Sequence, residues 1–141
     1  MHGLHLTADL HDCRCASQWL VDAKALGAVC RKAATAAGLQ PVGELFQTFP
    51  ATAGGPGGVT ATVLLAESHL CVHTWPELHA ATLDVYVCNV GADHSAAAHA
   101  VMECLVTLFE PQRSERHALR RGELVDQGDR GIDTAPAPLA G

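Results

Sequence analysis

The chain has 141 residues, 48% hydrophobic and 4% aromatic, with nine Lys plus Arg against fifteen Asp plus Glu, for a formal net charge of -6. That length suits one domain around one core, and the acidic balance without any basic cluster argues against a nucleic-acid or anionic-membrane surface. Residues 1–10 carry no charged leader with a cleavage site, and no apolar run is long enough to span a bilayer, so a cytoplasmic protein is expected.

In chain order, Leu4 to Leu10 alternates apolar and polar residues, the period of a half-buried strand, and His11 to Arg14 interrupts it. From Ser17 to Ala37 the residues Leu20, Val21, Leu26, Val29 and Cys30 recur at helical spacing. Gly38 stops that helix, and Gly27 within it lowers the local propensity. Pro41 to Phe49 reads as a strand, and Thr52 to Gly58, TAGGPGG, as a loop. Val59 to Ala66 and His69 to Trp75 read as two more strands with Glu67 and Ser68 at their junction, and Ala80 to Cys88 as another. Asp93 or Ser95 can cap a second helix that runs to Phe109 and is stopped by Pro111. Arg113 to Leu119 suggests a last strand. The tail, Gln127 to Gly141, is rich in Gly, Pro and Ala and is expected to be disordered. The six cysteines, mostly inside apolar segments, are expected to be thiols.

These elements predict an α+β fold over residues 1–126: a two-layer α/β sandwich, with two helices on one face of a largely antiparallel sheet. Strand alternation puts Leu70, Val72, Leu83, Val85 and Val87 under the helices. His69, Cys71, His73, Asp84, Tyr86 and Cys88 go to the opposite face, where an active site or a second sheet could form.

The stretch AESHLCVHTWPE, Ala66 to Glu77, concentrates the chemistry. His69, Cys71 and His73 on alternate positions could hold zinc, although no CxxC or second tight ligand pair accompanies them. Ser68 with His73 could serve a hydrolase, but Ser68 stands in no GxSxG elbow. As a third reading, Ser68 is consumed to make a cofactor. Each residue alone also fits a turn serine or a surface histidine.

ESHLCVHTWPE, Glu67 to Glu77, closely resembles the self-cleaving segment of the prokaryotic S-adenosylmethionine decarboxylases, and the likeness extends to Gly58-Val59-Thr60, to Cys88 and to the amino-terminal GLHLTADLHDC, Gly3 to Cys13. The resemblance implies that the Ser68 hydroxyl attacks the Glu67 carbonyl and that the chain is cut between them, leaving a pyruvoyl group at residue 68 as the cofactor. That ketone forms a Schiff base with a substrate amine, and no metal is implied. Thr60 and His73 would assist processing, Cys88 would donate a proton to the substrate α-carbon, and Glu77 and Phe49 would hold ribose and adenine. The resemblance also implies a homodimer whose sheets pack face to face, with sites built by both protomers, and a product that feeds spermidine synthesis. The chain departs from the family pattern at Leu78-His79-Ala80, at Val87-Cys88-Asn89 and in the glycine-rich loop after Phe49, a drift that would also suit decarboxylation of ornithine or arginine. An uncleaved, noncatalytic or metal-binding family member is the further alternative.

Overall fold

Six strands form a single antiparallel sheet in the order β2-β3-β4-β5-β1-β6. They are β1 (Gly3–Cys13), β2 (Pro41–Thr48), β3 (Val59–Leu65), β4 (Ser68–Trp75), β5 (Ala80–Cys88) and β6 (Pro111–Arg121). This computed structural model describes residues 2–123, so the expected tail, 127–141, lies outside the described residues. Helices α1 (Gln18–Val21), α2 (Ala23–Ala36) and α3 (Ser95–Phe109) complete the chain with a short 3-10 turn at Pro76–Leu78. Because α2 packs on β2 and β3, α3 on β1 and β5, and the two helices on each other, all of them cover one face.

The core lies between these layers. Leu6, Ala8 and Leu10 of β1 join Val59, Ala61, Val63, Leu70, Val72, Leu83, Val85 and Val87, all nearly inaccessible. From the helices come Leu26, Cys30, Val101, Leu105 and Phe109. This is the face that strand alternation assigned to the helices. Burial pushes the Cys30 thiol up to about 12, so it acts as a small apolar side chain. All six cysteines are free.

Three boundaries differ from expectation by more than one residue, each for a physical reason. The helix expected over Ser17 to Ala37 is broken at Asp22, whose backbone is extended (φ -103°, ψ 100°) and whose Oδ1 accepts the Ala25 N–H at 3.0 Å. An aspartate that can cap a helix competes with continuing one. The first strand does not stop at His11: it continues to Cys13 through Asp12 in the left-handed region (φ 51°), and the Cys13 N–H donates to the His79 carbonyl at 2.8 Å. The last strand spans Pro111–Arg121, longer than its own composition suggests, because it pairs with β1 along most of its length. Its Arg113, Glu115, Arg116, Arg120 and Arg121 are exposed charges that protect a sheet edge from pairing with another chain.

Gly27 has a packing reason for its place in α2. A Cβ there would stand 2.4 Å from the Phe46 ring, so the aromatic side chain of β2 is seated directly on the helix backbone. Among the described residues, no helix is long and apolar enough to cross a membrane.

Candidate active site

The turn between β3 and β4 has only two residues, Ala66 and Glu67, between the last paired residues Leu65 and Ser68. Glu67 carries φ 58°, a conformation that L side chains avoid. The peptide bond after it is therefore held in a strained turn, as is common where a backbone is set up for chemistry. Ser68, the first residue of β4, accepts the Cys88 N–H on its Oγ at 3.1 Å. Glu67, Ser68, Cys88, Val90 and His94 line a cavity of about 260 Å³ beside this turn.

At the other end of β4 a second group assembles. Thr60 pairs directly with His73 across β3 and β4, and the Thr60 Oγ1 lies 2.9 Å from His73 Nδ1. The His73 ring stands 6.2 Å from that of Trp75. Phe49, Thr60, His73, Trp75 and Glu77 line a larger cavity of about 510 Å³, closed on one side by the loop of residues 50–58. Gly58 belongs to that closure, since a Cβ there would fall 2.0 Å from the Thr74 carbonyl oxygen.

The residues singled out from the sequence thus fall into two sets: Glu67, Ser68 and Cys88 at one end, Thr60, His73, Glu77 and Phe49 at the other. His73 is five strand steps from Ser68, roughly 16 Å at about 3.3 Å per residue. It faces Thr82 on β5, six steps from Cys88. His73 and Cys88 do share the open side of the sheet, as alternation implied, but one protomer does not bring them together.

The three alternate residues of β4 do not converge on one ion either. His69 engages Asp84 at 3.0 Å, Cys71 accepts a 3.7 Å contact from Thr62, and His73 engages Thr60. Burial raises the Cys71 thiol above its ordinary value, partly offset by the Thr62 hydrogen bond, which works against a thiolate ligand.

A third cluster had no signal in any motif. His5 Nε2 and His69 Nε2 lie 2.8 and 3.0 Å from the same Asp84 Oδ1, and Tyr86 packs against both rings. These three side chains could hold a cation. The Arg121 Nη1, however, lies 2.9 Å from His5 Nδ1, and a guanidinium can only donate, so the ring proton of a neutral His5 sits on Nε2, close to Asp84 but not aligned on it as a hydrogen bond. A metal would need that nitrogen bare. The cluster joins β1, β4, β5 and β6 on the open face through the His69–Asp84 and Arg121–His5 hydrogen bonds and the close approach of His5 to Asp84.

Comparison with known proteins agrees with the motif and the topology. Residues 4–122 match the family model described as S-adenosylmethionine decarboxylase. The S-adenosylmethionine decarboxylase proenzyme of Aquifex aeolicus is 32% identical over 133 residues, covering 90% of this chain and 86% of that protein. The proenzyme of Parasynechococcus marenigrum is 38% identical over 120 residues, covering 85% and 83%. The crystal structure of the adenosylmethionine decarboxylase from Aquifex aeolicus superimposes with a TM-score of 0.75 at 29% identity, covering 92% of this chain and 97% of that one. With residues 4–122 matching the family model and relatives above 30% identity sharing nearly the whole length, the chain belongs to the S-adenosylmethionine decarboxylase family.

Proposed function

We propose that this chain is the proenzyme of a pyruvoyl-dependent S-adenosylmethionine decarboxylase, cut between Glu67 and Ser68 and active as a homodimer packed through the open face of its sheet. The observation that carries this reading is the separation of the hydroxyl from its base. Ser68 and Cys88 line one cavity at the turn end of β4, and Thr60 and His73 line another on the open face. A two-fold axis through that face would lay one protomer's Thr60 and His73 over its partner's Ser68. The open face also carries Leu45, Leu64, Trp75 and Leu119, large apolar side chains left exposed on an isolated protomer.

Each residue then has a task. The Ser68 Oγ attacks the Glu67 carbonyl carbon, and an ester replaces the amide and frees the Ser68 amine. Loss of the Ser68 α-proton breaks the Cβ–O bond and frees a carboxylate at Glu67, and water then displaces the nitrogen of the dehydroalanine as ammonia. The strain at Glu67 favours leaving the starting turn, and the partner's threonine and histidine supply proton transfer. The pyruvoyl group left at residue 68 supplies an electron sink for a substrate amine. Ser68 suits that origin, since its hydroxyl borders a strained peptide bond and a cavity. Glu77 and Phe49, lining the larger cavity, would hold the ribose hydroxyls and the adenine ring. Cys88 would give its thiol proton to the substrate carbon that has lost carbon dioxide.

The test is intact-mass spectrometry under denaturing conditions. Two chains that divide at Glu67/Ser68, the second with a pyruvoyl terminus, are expected, and Ser68→Ala should give one chain without activity. A wild-type chain of full mass after prolonged incubation overturns the reading, as does an active, uncleaved Ser68→Ala protein.

A further inference from the structure

We propose that His94 is a further catalytic residue, the proton relay that recharges Cys88 after each turnover; this rests on the reading of Cys88 as the proton donor. His94 stands at the N-terminal end of α3, where Ser, Thr, Asp or Asn is the usual cap. Here its side chain makes no capping bond. The capping is done by neighbours: Asn89 Oδ1 accepts the His94 N–H at 2.8 Å, and Asp93 Oδ1 accepts the Ser95 N–H at 2.8 Å. The Asn89 amide also donates to Ser95 Oγ at 3.2 Å, which fixes the loop. Among the described residues the His94 imidazole has no hydrogen-bond or ion-pair partner, and His94 lines the same cavity as Ser68 and Cys88.

The chemistry needs such a group. Decarboxylation replaces carbon dioxide on the substrate carbon with a proton, so each turnover consumes one. If the Cys88 S–H bond breaks to supply it, a thiolate is left at a residue only 6% exposed. The other titratable side chains lining the cavity are Glu67 and His94. An imidazole carries an N–H and a bare nitrogen on one ring, so it can give up one proton while taking another from water. The His94 N–H bond breaks, the Cys88 S–H bond re-forms, and solvent reprotonates the ring. Asp93 beside it keeps its charge, since hydrogen bonds from the Ser95 backbone and side chain hold its carboxyl below the usual range.

Two measurements decide this. In the Ser68→Ala protein, which cannot form the cofactor, iodoacetamide alkylation of Cys88 is followed by peptide mass with and without His94→Gln. Alkylation reads the thiolate, so a proton link should make it about tenfold slower in the variant. In the cleaved enzyme, His94→Gln should leave cleavage complete and KM unchanged but lower kcat by about 10²-fold, with added imidazole restoring part of it. Unchanged alkylation, an unchanged kcat, or a lowered kcat that imidazole does not restore overturns the relay. A wild-type chain that is never cut overturns the proposed function and the relay's role in turnover, yet the alkylation comparison still reports whether His94 and Cys88 exchange a proton.

Discussion

Thr74 is the buried polar side chain of the sheet, 5% exposed, and it lies next to His73. Its hydroxyl donates to the Leu20 carbonyl at 2.7 Å and accepts the Val59 N–H at 2.8 Å, tying α1 to β4 and to the start of β3. Thr74→Val keeps the shape and strands both partners, so it should lower stability by about 2–4 kcal/mol, read as a shift in urea midpoint at constant m-value. At the open face, Thr60→Val removes the partner of His73 Nδ1 and should slow the appearance of two chains by about tenfold or more without unfolding the protein. Cys88→Ala should separate the two chemistries the other way. Cleavage should run to completion while turnover falls by about 10²–10⁴-fold, since a positioned proton donor contributes that much. An equal loss in both rates would make Cys88 a folding residue.

Between elements, the contact of Gly27 with Phe46 sets how closely α2 lies on β2. Gly27→Ala gains up to about 1 kcal/mol of helix propensity but forces overpacking worth about 1–3 kcal/mol, so a net loss is expected by thermal or urea unfolding. Phe46→Leu should relieve part of that loss, and a double-mutant cycle would show it as a coupling energy between the two sites. This pair also shows what the sequence could reveal. The lowered propensity at Gly27 was legible, but its reason lay on another element. The central strands were read almost to the residue because they alternate with one face buried, and Ala80–Cys88 needed no revision. The edge strand β6 was only partly legible, since exposed and charged side chains give it no period and its order comes from pairing with β1. At the site, the motif supplied the residues but not their grouping. Ser68 and His73 are close in sequence, and a strand carries them apart. The link from Arg121 to His5 spans 116 positions and left no local trace.

For the molecule as a whole, the divided site makes a prediction that no single protomer can satisfy. Ser68→Ala and His73→Ala proteins should each remain uncut alone. When the two are co-expressed with different tags, the chain carrying His73→Ala should be cut, because its own Ser68 meets a partner's intact His73. Failure of that cut in a confirmed mixed dimer would place all the processing groups within one protomer. The strand order has a further consequence for a protein cut as proposed. The segment ending at Glu67 contributes β1, β2 and β3, and the segment starting at Ser68 contributes β4, β5 and β6. In the order β2-β3-β4-β5-β1-β6, the first segment's β1 is threaded between two strands of the second. The two pieces are thus interlaced rather than stacked, sharing the β3/β4, β5/β1 and β1/β6 seams. A break at the β3–β4 tip opens the covalent thread without loosening the weave, so they should part only when the whole sheet melts.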